Sequence, residues 1–168
     1  MEPTFTYTTT DKAVRYEQFL QDFLPYIADE YEEVSVLANT TAALRQAFGW
    51  FWIGFYLVRE DHLILGPFQG DVACYRIAKG RGVCGTSWAK ACSQVVPDVE
   101  NFPGHIACSG NSRSEIVIPL IDKDGEVHGV LDIDSDTLAT FDNIDRHYLE
   151  ILCGELCMAI YGSKSLEE

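Results

Sequence analysis

Basic residues are scarce in this chain. Twelve lysines and arginines face 26 acids in 168 residues, for a net charge of −14 at pH 7. Such a surface repels a phosphate backbone, and no basic cluster of the usual size is present, so nucleic acid and anionic membrane are excluded as partners. Long apolar runs are missing as well. No stretch of about 18 apolar residues exists to span a bilayer. Residues 1–12 lack a charged and then apolar leader, so no secretory signal is expected. They are mostly threonine and charge, and residues 1–10 read as a flexible N-terminal segment. Cysteine is not scarce. The six cysteines form an even set, but a chain with this much apolar content (47%) and no leader reads as cytoplasmic, where thiols stay reduced. Its cysteines are then either inert core residues or chemistry.

The length suits one domain, 1–168, with a full-sized core. Thr10 or Asp11 can cap a first helix whose Tyr16, Phe19, Leu20 and Phe23 follow helical spacing, with Pro25 ending or kinking it. Residues 29–33 form a charged break, and a second helix over 34–48 stops at Gly49. The aromatic and branched run 50–57 predicts a strand. Alternation puts Trp50, Trp52, Gly54 and Tyr56 on one face, and Phe51, Ile53, Phe55 and Leu57 on the other. A second strand over 63–65 precedes a turn-rich loop at 66–70, and a short strand over 73–77 carries Cys74. A short helix is expected over 86–91 and a brief strand at 95–96. The polar loop 101–112 contains Cys108; loops of that length are often functional. Strands over 115–121 and 127–135 flank a hairpin turn at 122–125. The second alternates His128, Val130, Asp132 and Asp134 against Val127, Gly129, Leu131 and Ile133. Asp142 can cap a final helix, with Asp145 in its first turn and a wide apolar arc suited to burial or to a partner. This order is α+β, one sheet with helices packed against it.

Five residue groups have the right chemistry for a site, and each also has a plain structural reading. Cys108 lies among Gly104, His105, Ser109, Gly110 and Ser112, the composition of an accessible loop. It is a reactive thiol there, with His105 and Arg113 available to favour the thiolate, or else a structural one. Cys84 in Gly82-Val83-Cys84-Gly85 suits a ligand-facing turn or merely fills it. Cys74 on a half-buried strand reads as core on local evidence. Cys92, Cys153 and Cys157 read as structural. The spacings between Cys74, Cys84 and Cys108, 10 and then 24, match no zinc pattern, so no metal is expected. Glu115, Asp132 and Asp134 lie on strands, where burial is costly without partners; they are solvated, or they line a cleft. Trp52 and Tyr56 share a face and either wall an apolar pocket or belong to an ordinary core.

The runs LGPFQG (65–70), ACYRI (73–77), GRGVCGTS (80–87), VPDVENFPGHIACSGNSRSEIVIPL (96–120) and GVLDIDS (129–135) together resemble the free methionine-(R)-sulfoxide reductases, a GAF-domain family, from about Leu37 through the final helix. The resemblance implies the GAF fold, a six-stranded antiparallel sheet with helices on one face and a ligand pocket with loops on the other. It implies Cys108 as the catalytic thiol, Cys74 as the resolving thiol and Cys84 as the family's third cysteine, with the choice of resolver between Cys74 and Cys84 left open. Trp52 and Tyr56 match residues that hold the substrate's methyl and side chain; Glu115, Asp132 and Asp134 match carboxylates on the sulfoxide and the polar end. The implied activity is thioredoxin-recycled reduction of free methionine-(R)-sulfoxide through a sulfenic acid and a disulfide, with no metal or organic cofactor, in a homodimer joined through the first and last helices. A non-catalytic GAF sensor is the alternative, and a cysteine hydrolase using Cys108 and His105 is a weaker one. The chain departs from the family at Phe51-Trp52, where Asn-Trp is common. Alternation points Phe51 away from Trp52, so the change is expected behind the strand rather than in the pocket.

Overall fold

In a computed structural model, residues 1–162 are described. Asp11 starts helix α1 (Lys12–Ile27) by accepting from the Val14 amide at 3.0 Å, which satisfies a donor that helix geometry leaves unpaired. Pro25 does not end α1. The helix carries it and closes two residues later, because at that position the ring removes little beyond its own backbone bond. Helix α2 (Glu33–Phe48) stops at Gly49, whose φ of 72° is the left-handed value that glycine adopts freely.

Strands β1 (Trp52–Arg59), β2 (His62–Gln69), β3 (Arg76–Ala78), β4 (Gln94–Val96), β5 (Ser114–Ile121) and β6 (Val127–Ser135) form one antiparallel sheet in the order β3-β2-β1-β6-β5-β4. Helices α1, α2 and α4 (Asn143–Tyr161) cover one face. Phe19, Phe23, Leu37, Leu44, Leu149, Leu152 and Leu156 pack there on Ile53, Phe55, Ile116, Ile118, Leu131 and Ile133. The other face holds Trp52, Tyr56, Val117 and Val130 under helix α3 (Gly82–Lys90) and the long loop after β4. The fold is the α+β arrangement expected: a six-stranded antiparallel sheet with a helical layer on one side.

Several local expectations change, each for a backbone reason. β1 starts at Trp52, two residues later than the aromatic run suggests. Trp50 therefore stacks on Phe48 at 4.4 Å on the helix side, and Phe51 packs with Trp52's cluster. The departure at Phe51 thus faces the pocket side and not the packing behind the strand. β2 runs on through Gly66 and Pro67 instead of ending at Leu65. Pairing slips from Gly54↔Phe68 to Tyr56↔Leu65, so Gly66 and Pro67 together oppose Phe55 in a bulge, where a proline's missing donor is tolerated. β3 begins at Arg76, which leaves Cys74 in the irregular segment before it, and α3 begins at Gly82, which puts Cys84 inside a helix rather than a preceding turn. A second bulge, where Leu120↔Gly129 is followed by Ile121↔Val127, turns His128 to the helix side. There its ring stacks on Tyr161 at 3.9 Å, while Val127 joins the opposite cluster.

Residues 1–10 form no helix or strand, yet they are not a loose arm. Phe5 is buried against Phe19 and Phe23, and its amide donates to Gln46 Oε1 at 2.9 Å. An aromatic side chain seated in the core tethers the segment more strongly than its threonine content suggests. Asp142 and Asp145 form a capping box on α4. Asp145 does more than cap: fully buried, it also accepts from Tyr16 Oη and Lys12 Nζ, each at 2.7 Å, and ties α1 to α4. Cys153 and Cys157 are core residues as expected, whereas Cys92, read as structural, is exposed after the left-handed turn at Ala91.

Candidate active site

The site is built from the three central strands. Register sets Glu115 opposite Asp134, Asp134 opposite Trp52, and Asp132 opposite both Val117 and Gly54. With side chains alternating along each strand, this places Glu115, Asp132, Asp134, Trp52 and Tyr56 on one sheet face. Gly54 lies on that face too. A Cβ there would collide with the Trp52 indole and with Phe68 Cβ, so the absent side chain is what lets the indole lie against the sheet. The Trp-x-Gly-x-Tyr spacing carried this signal in the sequence.

The loop after β4 closes over these residues and bonds back to the chain: Cys74 and Cys108 form a disulfide, with their Cα atoms 5.4 Å apart. Beneath it is a cavity of about 30 Å³, lined by Cys84, His105, Cys108, Glu115, Asp132 and Asp134 among others. That volume suits a single water molecule. A larger cavity, about 690 Å³, opens at the far end of α4 beside Asp122, His128 and Tyr161, away from the disulfide and the acids. The chemistry therefore centres on the smaller one.

Three buried carboxyls in contact cannot all stay ionised. Burial, and then the charge on Asp134, push the Glu115 carboxyl up to about 8. Burial and then Glu115 raise Asp132 well above its ordinary value; burial and then Asp132 do the same for Asp134. Ser112 Oγ donates to Asp134 Oδ1 at 2.6 Å, and His105 Nε2 lies 3.7 Å from Glu115 Oε2. Asp132 Oδ1 is buried with no hydrogen-bond partner among the described residues. Cys84 is free and buried beside Asp132; burial and then the Asp132 charge raise its thiol well above the ordinary value, so it keeps its proton. Cys84, Glu115 and Asp132 each bring a donor atom within 4.8 Å of the others, as do Asp122, Glu126 and His128 on the β5–β6 hairpin. The first group is one donor short of the four a structural zinc takes, and its members hold protons that a cation must displace.

Of the residues singled out in the sequence, Cys74, Cys84, Cys108, Glu115, Asp132 and Asp134 therefore meet around one cavity or its disulfide roof. Trp52 and Tyr56 do not line that cavity. They are buried beside it: the indole stacks between Tyr56 (6.1 Å) and Phe68 (5.5 Å), and Trp52 Nε1 donates to Asp71 O at 2.9 Å. Ser112 and Arg81 were missed as wall residues, and His105 had no distinguishing local signal; only the folded loop and α3 bring them in.

Fold and site define a one-sheet ligand-pocket domain whose mouth is closed by a redox-capable pair of cysteines. A family model described as GAF domain matches residues 31–160. The chain is 45% identical over 147 residues to a free methionine-R-sulfoxide reductase of Escherichia coli, covering 87% of this chain and 88% of that protein. It is 55% identical over 139 residues to GAF domain-containing protein A of Dictyostelium discoideum, covering 82% and 87%. An X-ray structure of free methionine-R-sulfoxide reductase from Neisseria meningitidis, in complex with its substrate, superposes with a TM-score of 0.93 at 49% identity, over 98% of this chain and 99% of that one. The chain belongs to the GAF-domain family and, within it, to the free methionine-R-sulfoxide reductases.

Proposed function

We propose that this protein reduces free methionine-(R)-sulfoxide to methionine, with Cys108 as the nucleophile and Cys74 as the resolving thiol. The observation that carries the reading is the Cys74–Cys108 disulfide roofing a cavity walled by proton-holding carboxyls. A sulfoxide sulfur is a good electrophile only when its oxygen is protonated or strongly hydrogen-bonded. Glu115, pushed up to about 8, keeps a proton at neutral pH and donates it to that oxygen, with Asp134 beside it. Cys108 attacks and bonds to the sulfur while the protonated oxygen leaves as water; a water then bonds to Cys108 Sγ as the Cys108–methionine S–S bond breaks, so that methionine departs and Cys108 is left as a sulfenic acid. Cys74 displaces water from that sulfenic acid and forms the disulfide. A thioredoxin-type dithiol then reduces the disulfide by exchange and is itself oxidised. The electrons come from that dithiol, so the reaction as written uses no metal or organic cofactor.

The cavity beneath the bonded pair has room for one water and none for an amino acid. The disulfide form is therefore the closed, product-free state, and reduction frees the loop of Cys108 to uncover Trp52 and Tyr56 for the substrate's methyl and side chain. The unpartnered Asp132 Oδ1 suits the ammonium of a free amino acid, which a protein-bound residue lacks. Four cysteines remain as free thiols, Cys92 exposed among them, which fits a reducing compartment such as the cytoplasm. A homodimer through α1 and α4 belongs to the same reading; exposed Val14, Ile144, Ile151 and Met158 on those helices support it. Among the described residues, no helix is long and apolar enough to cross a membrane.

The test is pre-reduced protein mixed with the free R-sulfoxide. One methionine per chain is expected without reductant, and continuous turnover with thioredoxin, its reductase and NADPH. Tight sulfoxide binding with no methionine formed makes the protein a sensor and overturns the reading.

A further inference from the structure

We propose that the irregular segment 71–75 is the docking site of the protein dithiol that reopens the disulfide, and that this partner attacks the sulfur of Cys74. The inference rests on the reductase reading and says where its reductant binds. Apart from Met1, the two most exposed large apolar side chains among the described residues are Val72 (88%) and Tyr75 (82%), and they flank Cys74 at positions −2 and +1. Apolar side chains scattered singly on a surface call for no explanation, but a pair bracketing a partly exposed disulfide does. Residues 72–74 belong to no helix or strand, between bends at Asp71 and Tyr75, and among the described residues no N–H or C=O of 72–74 has a hydrogen-bond partner. The ladder to β2 ends at Arg76, with one further bond from the Leu65 amide to Tyr75 O. An unpaired stretch with exposed side chains on either side of the reactive atom is what a partner needs to add main-chain hydrogen bonds and fill small pockets.

Charge points to the kind of partner. The chain is strongly acidic, yet exposed Arg76, Lys79 and Arg81 follow Cys74 within seven residues. Lys79 Nζ stands 4.9 Å over the Trp88 ring, which holds one of these cations in place. A local basic strip on an acidic molecule selects a reductant with acidic residues around its dithiol and makes the encounter salt-dependent. The chemistry of the other sulfur agrees. Cys108 lines the closed cavity with Glu115, Asp132 and Asp134, whereas Cys74 does not line it and sits between exposed Val72 and Tyr75. The partner's thiolate bonds to Cys74 Sγ, the Cys74–Cys108 bond breaks, and Cys108 leaves as a thiolate. The partner's second thiol then attacks its own bonded sulfur, releases the Cys74 thiolate and leaves the partner as a disulfide. Two electrons pass from partner to protein, and two thiols are restored.

The test is the double variant Val72→Ser/Tyr75→Ser in steady-state reduction of the free R-sulfoxide. Reductants are thioredoxin, recycled by its reductase and NADPH, and separately dithiothreitol. The KM for thioredoxin is expected to rise at least ~10-fold, and to rise with added salt in the wild type, while the dithiothreitol-driven rate stays unchanged. A thioredoxin with its second cysteine replaced is expected to be trapped on Cys74 by peptide mass mapping. An unchanged thioredoxin KM, trapping on Cys108, or a change of oligomeric mass in the variant (which makes the segment a contact between copies) overturns the docking site. Wild-type turnover with dithiothreitol but with no thioredoxin removes the docking proposal and leaves the reductase reading intact. No methionine with either reductant removes the reductase reading itself.

Discussion

Glu115→Gln takes the proposed acid out of the cavity while keeping its volume and replacing the O–H donor with amide N–H donors. Burial and the neighbouring Asp134 push the Glu115 carboxyl up to about 8, so at about pH 7 roughly ten molecules hold its proton for each one that does not. Oxygen protonation is then nearly constant below neutrality and declines ~10-fold per pH unit above about 8. Glutamine has no proton to transfer, and positioned acids contribute ~10²–10⁴-fold, so first-turnover methionine formation at neutral pH should fall by about that factor. The assay is rapid quench of pre-reduced protein with the R-sulfoxide across neutral to alkaline pH, read as the ratio of wild-type to variant rate. That ratio cancels the gain from Cys108 thiolate formation, and it should shrink above about pH 8. A ratio that is the same on both sides of that pH refutes the assignment. The same shift acts on folding. A carboxyl whose folded value is raised from an ordinary 4.5 to about 8 gives stability that is fully present below about 4.5 and is lost as pH rises through about 8. Urea unfolding of the disulfide form should show stability falling over that window, with the slope reduced in Glu115→Gln.

Cys74→Ser should release one methionine per chain at the wild-type rate and then stop; sustained thioredoxin-driven cycling would move the resolving role to Cys84. Cys84→Ser keeps a donor toward Asp132 and removes only a sulfur that is enclosed and unbonded, so steady-state cycling should stay within ~2-fold of wild type, and a stall after one turnover contradicts this. Gly54→Ala forces the Trp52 indole off the sheet and should cost ~1–3 kcal/mol in urea unfolding while raising the KM for the sulfoxide; an unchanged KM would separate Trp52 from substrate binding. Asp145→Asn weakens the bonds to Lys12 and Tyr16 that join α1 to α4, and a loss of ~2–4 kcal/mol in the same measurement is expected; no loss would mean the junction carries no stability.

Local pattern alone was enough for some of this protein. Period-two alternation put Asp132 with Asp134 on one face of their strand and Trp52 with Tyr56 on one face of theirs, the Asp142 cap started α4, and the long loop around Cys108 stood out by composition. These features are legible because each depends on residues only a few positions apart. Where a bulge adds one residue to one strand, alternation reverses, which is why His128 stacks on Tyr161; Phe51 lies ahead of β1, so strand alternation does not set its direction. Phe5 could not be read as an anchor because its partners, Phe19 and Phe23, are supplied by another element.

The amino-acid order by itself determined which side chains can hold a proton or attack a sulfur, and most of the elements that carry them. Only the tertiary structure decided that Cys108 bonds Cys74 while Cys84 stays free beneath, and that three carboxyls from two strands share one small cavity. The physical reason is that both outcomes depend on distance and burial. A disulfide needs two Cα atoms within about 7 Å, and a raised carboxyl needs the loss of water around it. Neither quantity is a property of residues taken along the chain.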